Sequence, residues 1–429
     1  MRWLAVLAVL LGAGWILWHA FGQKLHAPVN KSVTTPPLIV RVENVDPATL
    51  LDKFLVDGHI DPGRLAELEN QGPPALAAAA DFAAARYEHE RNREETALSY
   101  IQRAVSAAPS NASLHAWCAV ILMNNGQAAE AVSHAERAAQ LDPASVEVQR
   151  ILGKAYYQAG RLESAITTWE HAQQISPDEA LAKELEKAKR EAAVESRFTE
   201  AARGHFVLRY EGGKLGATFT DDAFRALERD YGDLSQSLGL EPRAAVTVVF
   251  YNEQQFADVT NSPAWVEGLN DGKMRIPLRD TGSVTPPLEA LLRHELTHSF
   301  LQDRVPRCPT WLNEGLAQMA EPKDVATMAP AVAAQGTAGE FVPLSQMEGS
   351  FQAMTLEQAR QAYLESLAAT EVLRNTYGMD GLRRLLAALA SGVSTEDALR
   401  SVTGGGYDDL TAAAKAYAAK YLPQGAAVR

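Results

Sequence analysis

His294-Glu295-Leu296-Thr297-His298 is the stretch on which the reading of this chain turns. It sits in a segment where Leu288, Leu291, Leu292, Leu296 and Phe300 recur at helical spacing. Residues four apart are neighbours on one helix face, so both imidazoles can address a single ion while the leucines supply the buried side. Thr285 and Pro286 make a helix start, with a capping hydroxyl and a proline in the first turn. Zinc accepts imidazole nitrogen and favours four ligands, and a catalytic site takes three of them from the protein.

The third ligand must come from elsewhere. Asp303 lies five residues past His298, about 140° round the helix, and points away. Trp311-Leu312-Asn313-Glu314-Gly315-Leu316-Ala317-Gln318 is the better source: a helix beginning after Pro309 and ending near Pro322, with Glu314 as the ligand. Gly315 beside it would let two backbones approach closely. Glu321, two turns on, is a substitute. Cys308 lies near in sequence and reads as a structural cysteine.

Outward from this core, Phe206, Leu208 and Tyr210 alternate as in a strand, as do Val246, Val248 and Phe250. Residues 221–238 between them read as a helix, and Lys273 to Leu278 follows an Asn-Asp-Gly turn as another strand. Nearly everything from about 284 to 422 reads as helical, with Gly378 and Gly381 bounding a helix end. Strands first and helices afterwards predict an α+β domain.

Upstream, the sequence repeats itself. Pro109, Pro143 and Pro177 are spaced 34 apart, as are Gly126 and Gly160; Ala85, Ala119 and Gly153 keep the step, and so do Ala104, Ala138 and Ala172. This is the tetratricopeptide (TPR) period. Small residues let paired helices approach, Asn92, Gly126 or Gly160 makes the turn between them, and proline ends the second helix. Leu152-Gly153-Lys154-Ala155-Tyr156-Tyr157 followed by Gly160-Arg161 resembles the TPR consensus. Three repeats are read at 76–109, 110–143 and 144–177, with a polar capping helix after them, so that the array spans 76–198. Such an array predicts a groove for a peptide or partner protein. His115, Cys118 and His134 read as ordinary helix residues. Residues 49–72, broken by prolines and glycines, are left unplaced.

Trp3 to Gly22 carries no acidic residue, lysine or arginine. Twenty helical residues span about 30 Å, the thickness of a bilayer core. Residues 1–22 are therefore read as a single-pass anchor with the remainder exported, a cleaved signal peptide being the alternative. Residues 23–75 read as a linker, rich in proline to about residue 48, and an unassigned segment. A net charge of −13 argues against a nucleic-acid partner. Two cysteines in different domains exclude a disulfide scaffold.

The pair of segments around His294 and Glu314 resembles the gluzincin zinc peptidases, the thermolysin-like group or peptidase MA clan. It is especially similar to bacterial peptidase-MA-like domains that carry a Trp-Leu-x-Glu-Gly-x-Ala element, here Trp311 to Ala317. The resemblance covers about residues 203–422. It implies a zincin-like domain in which His294, His298 and Glu314 hold Zn2+ and Glu295 is the base. It implies, too, that the strand before the first helix, Lys273 to Leu278, lines the cleft, and that a tyrosine or histidine stabilises the oxyanion, for which Tyr363 is the candidate. Glu365 or Asp303 would orient a ligand histidine. The whole then reads as a peptidase of the bacterial inner membrane with its soluble part in the periplasm, its TPR array recruiting a substrate or partner. The rival is an assembly module whose peptidase-like domain binds zinc but turns over little.

Overall fold

The computed structural model describes residues 25–28, 38, 40–43, 45–262, 266–279, 283–321, 323–334, 341–351 and 354–421. The chain divides into two compact units. One is residues 33–197; the other joins Phe198 onward to the N-terminal segment that contains Leu25–Pro28. The stretch Trp3 to Gly22 lies outside the described residues. Among those described, no helix is long and apolar enough to cross a membrane.

The first unit opens with α1 (Leu51–Phe54) and α2 (Pro62–Gln71). Three helix pairs follow: α3 (Pro74–His89) with α4 (Glu94–Ala107), α5 (Ala112–Asn124) with α6 (Ala128–Leu141), and α7 (Val146–Gln158) with α8 (Leu162–Ile175). Helix α9 (Glu179–Glu195) packs on α8. Each pair turns at a residue of positive φ: Asn92 at 57°, Gly126 at 74° and Gly160 at 74°. The small residues are where the helices meet. Ala85, Ala119, Ala104, Ala138 and Ala172 are fully buried, and a Cβ on Gly153 would come within 2.2 Å of the Trp169 indole nitrogen. The unplaced segment 49–72 has a role in this core: Leu50, Phe54 and Leu65 pack with the alanines of α3. Its pieces are too short to show a period, although Asp61 caps α2 through the Arg64 amide at 3.0 Å.

The second unit is built on a six-stranded sheet in the order β1-β7-β8-β6-β5-β4; β2 (Leu55–Val56) and β3 (His59–Ile60) form a short antiparallel hairpin in the first unit. Its strands are β1 (Leu25–Pro28), β4 (Phe198–Arg203), β5 (Phe206–Glu211), β6 (Val246–Asn252), β7 (Val266–Asn270) and β8 (Met274–Leu278). Strands β5, β6 and β8 run parallel, with α10 (Ala217–Leu238) crossing between the first two and α11 (Glu253–Thr260) following the second. Strand β4 is antiparallel to β5, β7 antiparallel to β8, and β1 parallel to β7. Three of these strands give no sequence signal. Strand β4 is a largely exposed edge, β7 is interrupted by Gly268, and β1 falls in what reads as linker. Beyond residue 283 the unit is helical: α12 (Pro286–Arg304), α13 (Thr310–Ala320), α14 (Val325–Ala334), α15 (Leu356–Ala390), α16 (Thr395–Thr403) and α17 (Tyr407–Ala419). Gly378, at φ 69°, breaks α15.

Thr285 is the N-cap residue of α12, but its hydroxyl makes no capping bond. Pro286 and Pro287 have no N–H, which leaves fewer donors at this end to satisfy. Leu292, Leu296 and Phe300 are fully buried and anchor α12 against the sheet and α10. Each fully buried side chain of this kind contributes about 1.5–3 kcal/mol.

Candidate metal centre

Helices α12 and α13 pack against each other, and α13 packs against α15. The second contact depends on Gly315: a Cβ there would lie 2.0 Å from Thr370 Oγ1 and 2.5 Å from the Ser366 carbonyl oxygen. Without a side chain at this position α13 sits close on α15, and Glu314, one residue earlier, is held under α12. His294, His298 and Glu314 then converge, with one donor atom from each within 4.8 Å of the others. His294 Nε2 and His298 Nε2 are 3.0 Å apart. Glu314 Oε2 is 3.7 Å from His294 Nε2, and Oε1 is 3.9 Å from His298 Nε2. Ligand bonds of 2.0–2.2 Å at tetrahedral angles place donors about 3.3–3.5 Å apart, inside the spread seen here.

The protons decide what this cluster can hold. His298 Nδ1 is 2.8 Å from Asn313 Oδ1, and His294 Nδ1 contacts a Glu321 carboxylate oxygen. Both partners are acceptors, so both Nδ1 atoms carry the hydrogen and donate. In neutral rings the Nε2 atoms then hold lone pairs, and they face each other. Burial lowers the pKa of His294 well below its usual value and that of His298 to about 4, so both rings are neutral near pH 7. Two lone pairs at 3.0 Å repel unless a cation lies between them. Glu314 brings a carboxyl group to the same point. Neither of its oxygens has a well-formed hydrogen bond among the described residues. The Tyr363 hydroxyl on α15 acts on the carboxylate but does not close a regular bond. Burial, then Glu295 and Glu321, push the Glu314 pKa well up. Two imidazole nitrogens and one carboxylate around one point fit a zinc ion, which the structure does not contain.

Glu295 is fully buried on the same helix, and burial, Glu321 and Asp271 raise its pKa well above the usual range. It faces β7. A Cβ on Gly268 would stand 2.6 Å from Glu295 Oε1, so the glycine leaves room beside this carboxylate. Strand β7 is tied to α12 at its end. Asn270 Nδ2 donates to the Glu295 carbonyl and to Ser299 Oγ, both at 2.7 Å, and Gln302 Nε2 donates to the Asn270 carbonyl at 3.0 Å.

Several sequence expectations need correction. The strand beside the base is β7, not Lys273 to Leu278, which forms β8 between β7 and β6. Glu321 orients His294 and is not a stand-in for Glu314. Asp303 accepts from the Arg243 backbone at 2.8 Å, and Glu365 accepts from the Val342 amide and from Gln361 Nε2; neither orients a ligand histidine. The residues that do, Asn313 and Glu321, flank Glu314 in sequence, and only the packing of α13 on α12 selects them. Tyr363 is buried against the cluster, with its pKa pushed far up by burial and by Glu314. Cys308 is buried in the core and Cys118 in the array, and both are free thiols.

A model of the Peptidase MA superfamily matches residues 233–419, a span that holds the whole cluster, Glu295 and Tyr363. Residues 233–419 are a Peptidase MA superfamily domain. A tetratricopeptide repeat model matches residues 125–189, so TPR repeats precede the peptidase domain. No curated protein matches the chain. Among solved structures, it is similar to an M1 zinc metallopeptidase mutant from Deinococcus radiodurans, at 19% identity, covering 54% of this chain and 52% of that one, with a TM-score of 0.33. It is similar to the second TPR domain of human RPAP3 in complex with an HSP70 peptide, at 23% identity over 27% of this chain and 98% of that one, with a TM-score of 0.26. It is similar also to a TPR protein of Thermus thermophilus, at 21% identity over 34% and 71%, with a TM-score of 0.24.

Proposed function

We propose that the Peptidase MA domain hydrolyses peptide bonds in proteins or peptides, with zinc held by His294, His298 and Glu314 and with Glu295 as general base. The observation that carries this is the pair of facing Nε2 lone pairs, fixed by Asn313 and Glu321 and completed by Glu314. Bound zinc supplies an acidified water and a Lewis acid for a carbonyl oxygen. Glu295 takes the water's proton on its carboxylate and passes it to the leaving amine. Burial keeps the Tyr363 hydroxyl protonated, so it is a hydrogen-bond donor beside Glu314; it is the candidate donor to the developing oxyanion. Asn313 and Glu321 hold the two imidazoles in the tautomer that presents Nε2.

The apolar stretch Trp3 to Gly22 would anchor the chain in the bacterial inner membrane with the soluble part in the periplasm. The TPR array would recruit a substrate or protein partner. In support stand the length of that stretch and the buried small-residue seams of the array.

Glu295→Gln tests the mechanism. The expected outcome is one zinc per chain by atomic emission, as in the wild type, with hydrolysis of unfolded casein reduced by about 10²–10⁴-fold. Zinc binding without hydrolysis by the wild type favours the assembly-module reading. Absence of zinc from the wild type sinks both.

A further inference from the structure

The strand that borders Glu295 has a neighbouring strand on each edge. Strand β7 pairs with β8 on one side, through Leu269↔Arg275 and Asn270↔Met274. On the other side lies Leu25–Pro28, in register Leu25↔Val266, Ala27↔Leu269 and Pro28↔Asn270. The ladder shifts between Leu25 and Ala27, which puts the irregularity opposite Glu267 and Gly268. Gly268 is the residue whose missing side chain leaves room for Glu295. Strand β1 also approaches α13, which carries Glu314. The segment therefore lies beside the strand that faces the base and near the helix that carries Glu314.

An open strand edge offers a row of unpaired N–H and C=O groups to any extended backbone. A peptide that is to be cut beside Glu295 has β7 as its nearest main-chain partner. Among the described residues β7 pairs with β8 only at Leu269 and Asn270, whereas Leu25–Pro28 pairs along its other edge from Val266 to Asn270. Pro28 closes the added strand, since it brings no N–H to extend the ladder.

We propose that Leu25–Pro28 is an intramolecular competitor that occupies the β7 edge of the cleft in place of a substrate backbone. The consequence for catalysis rests on the peptidase reading; the occupancy does not. A substrate then binds only to the fraction of molecules in which the segment has left, and its apparent affinity falls by that fraction. With the edge covered in about nine molecules of ten, removing the segment tightens binding about tenfold.

The test uses the full chain carrying Glu295→Gln, so that no reading depends on turnover. In one variant Leu25→Gly, His26→Ser, Ala27→Gly and Pro28→Ser are combined; in a second, Ala27→Pro alone removes one N–H from the strand. Amide hydrogen exchange should show protection of residues 266–270 lowered about tenfold in the first variant and partly in the second, with the protection of β6 and β8 unchanged. Fluorescently labelled, unfolded casein should bind about tenfold more tightly to the first variant. Unchanged exchange at β7 overturns the occupancy. Lowered protection with unchanged casein binding overturns the competition. In the Glu295 background the same replacement should lower KM and leave kcat alone. If no form hydrolyses casein, the peptidase reading fails while exchange and binding still decide this proposal.

Discussion

The repeat array and the peptidase unit solve the same packing problem, two helices brought close by a missing side chain, with different consequences. In the array, Gly153 receives Trp169 from the next helix, sixteen residues on. The contact is local and belongs to a motif that recurs every 34 residues. In the peptidase unit, Gly315 receives Ser366 and Thr370 from a helix some fifty residues away. That contact occurs once, and it places Glu314. A repeat array is approximately a sum of neighbouring terms, so damage stays near its origin. A metal cluster assembled from separated segments has no such redundancy.

The strongest way to break the comparison is Gly315→Ala. The new Cβ meets the Ser366 backbone oxygen, which cannot rotate away, so the cost is about 3 kcal/mol or more. Zinc affinity should fall with it, read by chelator competition, while the array's cooperative unfolding by circular dichroism stays as in the wild type. Retention of zinc at wild-type affinity would show that α13 does not depend on this approach. Glu321→Gln and Asn313→Ala come next. Each leaves the three ligands in place and removes a carboxylate or an amide oxygen that holds an imidazole, so zinc affinity should drop about 10–100-fold by the same competition. Equal affinities would place the tautomer control elsewhere.

A pH series sharpens the comparison at smaller scale. Burial, opposed by the bonds from Gln361 and Val342, pushes Glu365 up from 4.5 to about 7. The folded state therefore binds its proton more tightly than the unfolded one. This contributes stability below about pH 4.5 that is lost as pH rises through about 7. Glu365→Gln has no such loss, so its stability relative to the wild type, from urea unfolding, should be higher at pH 8 than at pH 5. A difference independent of pH would show that the carboxyl ionises normally. Smallest is Gly160→Ala in the array. Nothing lies within 4 Å of the new Cβ, and only its φ of 74° opposes it. The cost should be about 1 kcal/mol in thermal unfolding, confined to the array.

The array was legible in the sequence because each of its contacts recurs at a fixed step: buried alanines, positive-φ turn residues and terminating prolines are written out three times. The His294-Glu295-x-x-His298 helix was legible for a related reason, since one helical turn fixes which side chains share a face. Glu314 stood out through Gly315 beside it. What the sequence concealed lies between segments. Asp303 and Glu365 were plausible partners for a ligand histidine, but Arg243 and the Val342 amide claim them. Glu321 looked like a spare ligand, and Asn313 drew no attention.

The sequence by itself determined the repeat period, the site helix and the donor chemistry, because those depend on spacings of a few residues that helix geometry converts directly into direction. Only the tertiary structure decided which acceptors set the histidine tautomers, that β7 and not β8 borders the base, and that Leu25–Pro28 lies along its edge. Strand neighbours and helix crossings are set by burial summed over the whole sheet, and no local pattern in β1 encodes β7, a partner hundreds of residues away.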